Sequence, residues 1–240
     1  MEIPSIIENY SVKTIGNWAF ANCTNLISIT IPSSITSIGR SAFESCSSLS
    51  SVIMTEGLLS IGFDCFRFCN SLTSVIIPST VTTINSSSFG ECTNLTSITI
   101  PTSVTSIGQH VFYNCSKLAS ITIPTSVTSI GYRAFYGCSS LTIYAKAESK
   151  PAGWESLWNV DNRPIVWGYV SNDVTASGIE YGVSLIDSTY SVVITGYTGA
   201  SGAVTIPSTI ETYPVTTIAS SAFANCTILT SITISTNITT

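Results

Sequence analysis

A chain of 240 residues with 44 % apolar side chains has ample material for a core, yet only 9 % of it is charged, far below the usual quarter. Eight Lys plus Arg against thirteen Asp plus Glu give a net charge of −5 with no basic patch, which argues against nucleic acid as a partner. No apolar run reaches the roughly 18 residues of a membrane span, and Met1-Glu2-Ile3-Pro4 lacks the basic and apolar regions of a signal peptide.

From its first residues the chain repeats itself. Cys23, Cys46, Cys69, Cys92, Cys115 and Cys138 stand 23 residues apart, and so do Ile15, Ile38, Ile61, Ile84, Ile107 and Ile130. Phe20, Phe43, Phe66, Phe89, Phe112 and Phe135 form a third column, and Leu26, Leu49, Leu72, Leu95, Leu118 and Leu141 a fourth. Chance does not hold four apolar columns in register over six units. Within a unit the phase changes. Phe112, Cys115 and Leu118 are spaced by three, which predicts a short helical or 3₁₀ turn with one buried face. Ile121 and Ile123 alternate, which predicts a short strand, and Pro124 ends it because proline has no amide donor. Val127 and Ile130 return the chain towards the next unit. Gly16, Gly39, Gly62, Gly108 and Gly131 follow the Ile column, with Asn85 standing in once. Gly and Asn at one position predict a left-handed or tightly turned backbone. The third unit is the least regular, with Met54-Thr55 where others carry Ile-Pro. No such unit buries its apolar face alone, so successive units must stack, with strands roughly 4.8 Å apart.

After Leu141 the composition changes. The segment 142–170 holds Tyr144, Trp154, Trp158, Trp167 and Tyr169, with Pro151 and Pro164. It is expected to be a cap and linker, its three tryptophans lying on the terminal apolar face of the array. Between 171 and 203, turn signals at Ser177-Gly178, Thr198-Gly199 and Ser201-Gly202 bracket two antiparallel strands, Ile179–Ile186 and Tyr190–Thr195, which open a second module. Residues 206–215 then match 3–12 at an offset of 203, a match that persists through Phe20 and Phe223, Cys23 and Cys226, Leu26 and Leu229. The expected organisation is a repeat array at 1–141, a cap at 142–170, a hairpin region at 171–203 and the first repeats of a second array at 204–240. The chain reads as an excerpt of a longer tandem protein, with any signal or anchor outside this segment.

The run Ser120-Ile121-Thr122-Ile123-Pro124-Thr125-Ser126-Val127-Thr128-Ser129-Ile130-Gly131, followed by Ala134-Phe135 and Cys138-Ser139-Ser140-Leu141, resembles the BspA-like (Treponema-type) leucine-rich repeat. The resemblance covers 1–141 and about 203–240. It implies a repeat solenoid: a leucine-rich-repeat-like right-handed coil of short parallel strands and short helical or 3₁₀ turns, with the aromatic cap and small β-hairpin region beside it. It also implies the role of its members, which are adhesins and surface proteins of host-associated microbes that bind matrix proteins or other cells.

Candidate chemistry is sparse. Seven of eight cysteines sit in the repeat column or its continuation at Cys226 and read as small buried hydrophobes. Cys65, the one cysteine outside the column, stands four residues before Cys69, and no CxxC or Cys/His spacing suggests zinc. His110 is the single histidine, at a position that varies from Trp18 to Arg133, and reads as exposed; nothing assembles a catalytic triad around it. Acidic residues show no fixed pairing, and no glycine-rich phosphate loop exists. No enzyme activity, cofactor or metal is therefore expected.

Two surfaces remain as candidate binding faces. Alternation along each strand places Ser28, Ser51, Ser74, Ser97 and Ser120 opposite the core, beside Thr30, Ile53, Ile76, Thr99 and Thr122. On the turn side, Phe63, Phe68, Tyr113, Tyr132 and Tyr136 interrupt columns that are otherwise polar or small, and aromatics are enriched at interfaces. The expected function is a monomeric, non-catalytic protein-interaction module of a microbial cell-surface or secreted adhesin, binding host matrix or cell-surface proteins, glycoproteins included, without membrane insertion of this segment. The alternatives are an intracellular scaffold or receptor, or a targeting domain of a larger enzyme.

Overall fold

The computed structural model describes residues 3–169, 173–174, 178–186, 189–199, 202–210, 213–235 and 238. The turn signals at Ser177 and Ser201 lie outside the described residues. The chain divides into two compact units: residues 1–143 with 150–164, and residues 144–149 with 165–240.

The first unit is a solenoid of parallel strands, one strand of each ladder per 23 residues. The alternating segments form the strands Ser28–Ile31, Ser51–Met54, Ser74–Ile76, Ser97–Thr99 and Ser120–Ile123. The first four pair two by two in register, Ser28 with Ser51 and Ile31 with Met54, Ser74 with Ser97 and Ile76 with Thr99, so that Ser51–Met54 and Ser74–Ile76 belong to separate sheets. A second parallel ladder runs through the return segments. It joins the two-residue strands Thr14–Ile15, Ser37–Ile38, Ser60–Ile61, Thr83–Ile84, Ser106–Ile107 and Ser129–Ile130 into one six-stranded sheet. Two residues show no alternation, so the sequence marks them only as a return.

The segment around the Phe column differs from the expected helical turn: no helix occurs among the described residues. Consecutive turns carry the three-residue spacing, with Ala21 N donating to Trp18 O, Cys23 N to Phe20 O and Leu26 N to Cys23 O. Left-handed residues interrupt them at two fixed columns: Trp18, Ser41, Asp64, Ser87, His110 and Arg133 (φ 51–57°), and Asn22, Ser45, Phe68, Glu91, Asn114 and Gly137 (φ 55–76°). These residues turn alternate amides out of the unit. Ser41 N, Phe43 N and Ser45 N donate to Phe63 O, Cys65 O and Arg67 O of the next unit. A helix would keep every amide within its own unit, and the stacked turns would lose this third ladder.

The glycine column owes its identity to close approach rather than to handedness. None of Gly16, Gly39, Gly62, Gly108 and Gly131, nor Asn85, has a positive φ. A Cβ added at Gly62 would lie 2.4 Å from Gly39 O, and one at Gly131 would lie 2.6 Å from Gln109 N. Gly39 N donates to Ile15 O and Gly108 N to Ile84 O; Asn85 reaches the matching carbonyl, Ile61 O, with its side-chain Nδ2 at 2.7 Å.

The core consists of like stacked on like. The six Phe rings from Phe20 to Phe135 follow one another at centroid distances of 5.1, 5.2, 5.5, 6.0 and 5.5 Å, tilted by no more than 12° between neighbours. Each buried column cysteine donates its thiol to the Phe carbonyl 26 residues earlier: Cys46 to Phe20 O at 3.1 Å, Cys69 to Phe43 O at 3.2 Å, Cys92 to Phe66 O at 3.2 Å, Cys115 to Phe89 O at 3.1 Å and Cys138 to Phe112 O at 3.0 Å. Cysteine thus packs as a small hydrophobe and still satisfies a buried carbonyl. Burial pushes these thiols up, to about 11 at Cys46 and about 12 at Cys92 and Cys138, and upward too at Cys65, Cys69 and Cys115. All eight cysteines are free.

The ladder closes on tryptophan. Trp154 continues the six-stranded sheet by a parallel bridge to Ile130, and its Nε1 donates to Val127 O at 3.0 Å. Trp158 meets Phe135 edge-on at 5.8 Å and Trp154 at 4.6 Å. Trp167 stands in the strand Ile165–Trp167, within the second unit.

In the second unit the strands Ile179–Ile186 and Thr189–Tyr197 form an antiparallel hairpin, and the latter also pairs in parallel with Tyr213–Ile218. The 203-residue offset is visible in the backbone. Ile6 pairs with Ser11 and Ile7 with Tyr10; Thr209 pairs with Pro214 and Ile210 with Tyr213. The core of this unit gathers Val192, Ile194, Ile206 and Val215, each fully buried.

Candidate functional site

On the strand face of the first unit, the 23-residue stack places equivalent outward side chains on successive turns, with register pairing inside each pair of strands. Ser28, Ser51, Ser74, Ser97 and Ser120 are exposed, as is Thr99, while Thr30 and Thr122 are half-buried. Two apolar side chains stand in this field of hydroxyls, Ile53 at 56 % and Ile76 at 75 % exposure. With Val52, Met54, Ser51 and Ser74 they line a depression of about 290 Å³. It lies at the irregular third unit, where Met54-Thr55 replaces Ile-Pro.

The turn side is more varied. Phe63 is half exposed, and Phe68 lies under the Arg67 guanidinium at 4.7 Å from its ring centre. Tyr113, Tyr132 and Tyr136 come together around two residues that the sequence reading did not select, His110 and Arg133. Tyr113 and Tyr136 stack at 5.3 Å, His110 meets Tyr113 and Tyr132 edge-on at 5.6 and 5.5 Å, and the Arg133 guanidinium lies 5.0 Å from both the Tyr132 and the Tyr136 ring centres. Arg67, Ser87, Gly90, Glu91, His110, Tyr113 and Arg133 line a groove of about 360 Å³. The signal for this cluster was the register itself. In a 23-residue stack, residues 23 apart are neighbours, which puts Arg133 on His110 and Tyr136 on Tyr113.

The charges of the groove differ in how they are held. Asp64 pairs with Arg40 at 3.4 Å and Arg67 at 3.7 Å, and Glu91 Oε1 accepts from Asn114 Nδ2 at 3.0 Å. Arg133 has no carboxylate or carbonyl acceptor among the described residues, and its Nε is buried without a hydrogen bond. Desolvation first, then Arg133 and Arg67, hold the His110 imidazole below its usual value, so it is neutral at pH 7. His110 is half-buried rather than freely exposed, because the tyrosines flank it. Among the described residues no cluster of three or more His, Cys, Asp or Glu side chains forms a metal site, and no helix is long and apolar enough to cross a membrane.

Comparison with known proteins agrees with this geometry. The chain is similar in structure to a leucine-rich-repeat protein of Treponema pallidum, at 26 % identity and TM-score 0.58 over 67 % of this chain and 79 % of that one. It is also similar to a leucine-rich cell surface protein of Faecalibacterium prausnitzii, at 25 % identity and TM-score 0.50 over 99 % of this chain and 70 % of that one. No curated protein matches it in sequence. The sequence profile of the BspA type leucine rich repeat region matches in six copies, over residues 1–93, 59–149 and 201–240. With its Ile, Phe, Cys and Leu columns stacked as that repeat requires, the chain belongs to the BspA-type leucine-rich-repeat family, whose members are repeat modules of a protein-interaction type.

Proposed function

We propose that this chain is a non-catalytic protein-interaction module of a cell-surface or secreted microbial adhesin, which contacts partner proteins through its strand face. The observation that carries the reading is the exposed pair Ile53 and Ile76, on successive strands that line one depression, where the other outward strand residues are serine and threonine. Two large aliphatic side chains in water are unfavourable by themselves, and covering each contributes about 1.5–3 kcal/mol. The cell-surface description of the Faecalibacterium relative supports the location. A backbone fixed by the continuous return and turn-side hydrogen-bond ladders loses little entropy on binding. The partner would be a host matrix or epithelial surface protein with a low-charge, partly apolar contact patch.

Capture of such proteins on immobilised wild-type chain, set beside Ile53→Asp with Ile76→Asp, tests this. The double variant should keep the wild-type circular dichroism and lose at least about tenfold in capture, since 1.4 kcal/mol is already a factor of ten. Equal capture by a folded double variant removes the strand face as the contact surface.

A further inference from the structure

The groove on the turn side goes beyond the strand-face reading, because it presents different chemistry on different residues. Tyr113 gives it an aromatic wall, and the Tyr136 ring backs Tyr113 by stacking on it at 5.3 Å. Its one uncompensated cation is Arg133. Arg40 and Arg67 share Asp64, and Arg163 donates to the carbonyls of Ser139 and Asp161. The Arg133 guanidinium lies 5.0 Å from the Tyr132 and from the Tyr136 ring centre and meets no acceptor among the described residues, although its Nε is withdrawn from water. Leaving a buried donor unsatisfied is costly, and a planar guanidinium fixed by aromatic rings is pre-shaped for a two-oxygen acceptor such as a carboxylate.

The remaining lining separates the classes of acidic ligand. Glu91 and the Ser87 hydroxyl add acceptors, and neutral His110 both donates and accepts. An acidic peptide with several carboxylates would bring like charge against Glu91. A sugar ring bearing a single carboxylate would not: its hydroxyls use the mixed donors and acceptors, its apolar C–H face lies on tyrosine, and its carboxylate meets Arg133. The volume of about 360 Å³ falls in the range of small-ligand clefts, roughly 300–1,000 Å³.

We infer that the groove lined by Arg67, Glu91, His110, Tyr113 and Arg133 is a binding site for an acidic saccharide, with Arg133 taking the carboxylate.

The only histidine of the chain sits in this groove, so its imidazole resonance is a single reporter of the site. The full chain with isotope-labelled histidine would be titrated with a glucuronate–glucose disaccharide, the neutral glucose disaccharide, sodium sulfate and a tetraglutamate peptide, at constant ionic strength. The uronate disaccharide should shift the His110 signal saturably and raise its pKa, because a bound carboxylate favours the imidazolium beside Glu91, Arg67 and Arg133. The neutral sugar, sulfate and tetraglutamate should each bind at least about tenfold more weakly. Arg133→Gln and Arg133→Lys should each weaken the uronate sugar about tenfold or more, because lysine cannot reproduce the fork, and Lys150→Gln, the same charge change on an exposed residue outside the groove, should not. If Arg133→Gln does not fold, Tyr113→Ser carries the test and should also weaken it. No saturable shift, equal binding of sulfate or tetraglutamate, or full affinity in folded Arg133 and Tyr113 variants would overturn the assignment. These results are independent of protein capture by the strand face, so either reading can fail while the other stands.

Discussion

The cysteine column shows why single residue types recur in this chain. A buried position flanked by Phe and Leu needs a small side chain, and the Phe carbonyl beside it needs a donor; the thiol meets both demands. Because burial raises the folded pKa of Cys46, Cys92 and Cys138 from 9.0 to about 11 or 12, the native state holds protons that the unfolded chain releases. The stabilisation is complete below pH 9 and is lost as the pH rises through 11 and 12. Urea unfolding followed from pH 8 to 11 should show the midpoint falling steadily, and a flat profile would contradict the buried-thiol account. At pH 7.5 a thiol reagent should label exposed Cys23 within seconds to minutes and the column cysteines Cys46 to Cys138 only as the fold opens. The Phe column is larger in effect. Phe66→Ala removes a fully buried ring from between two stacked neighbours and should cost about 3–5 kcal/mol in chemical denaturation.

At the scale of the element, the repeat unit is held by backbone that approaches backbone. Gly62→Ala would set a Cβ 2.4 Å from Gly39 O, so two stacked units would have to part. A loss of about 1–3 kcal/mol in unfolding free energy is expected. Gly16→Ala meets no atom within 4 Å and should be near neutral, which makes the pair a controlled comparison. This element also marks where sequence reasoning stopped. Glycine in a repeated column suggested a left-handed residue, but the left-handed positions are occupied by Trp18, Ser41, Asp64, Ser87, His110 and Arg133. Such variety hides a conformational requirement, because the strain of positive φ is offset by amides that then bond to the next unit. In sequence the column reads only as a variable surface position. The strands Ser28–Ile31 and Ser120–Ile123 were legible because four residues suffice to show alternation; Thr14–Ile15 was not.

At the scale of the whole molecule, each repeat unit bonds mainly to its neighbours, so stability is a sum over neighbouring interfaces. Amides at Phe66 and Phe89, with stacked units on both sides, should exchange with deuterium more slowly than those of the exposed first turn around Ala19 and Ala21. Trp158→Ala would uncover Phe135 and should shorten protection in the last repeat before it changes the middle ones. With 9 % charged residues, capture of protein partners should vary little between 50 and 300 mM salt, and a steep fall would point to an electrostatic contact instead. What the sequence determined by itself is the stack: a fixed 23-residue period permits no arrangement of four apolar columns except each upon its own kind, and the 203-residue offset repeats the opening hairpin in the second unit. Only the tertiary structure decided what lies on that stack. Ile53 with Ile76, Tyr113 on Tyr136 and His110 against Tyr132 depend on side chains 22 or 23 residues apart meeting across neighbouring turns. That meeting exists only once inter-unit hydrogen bonds have set the register.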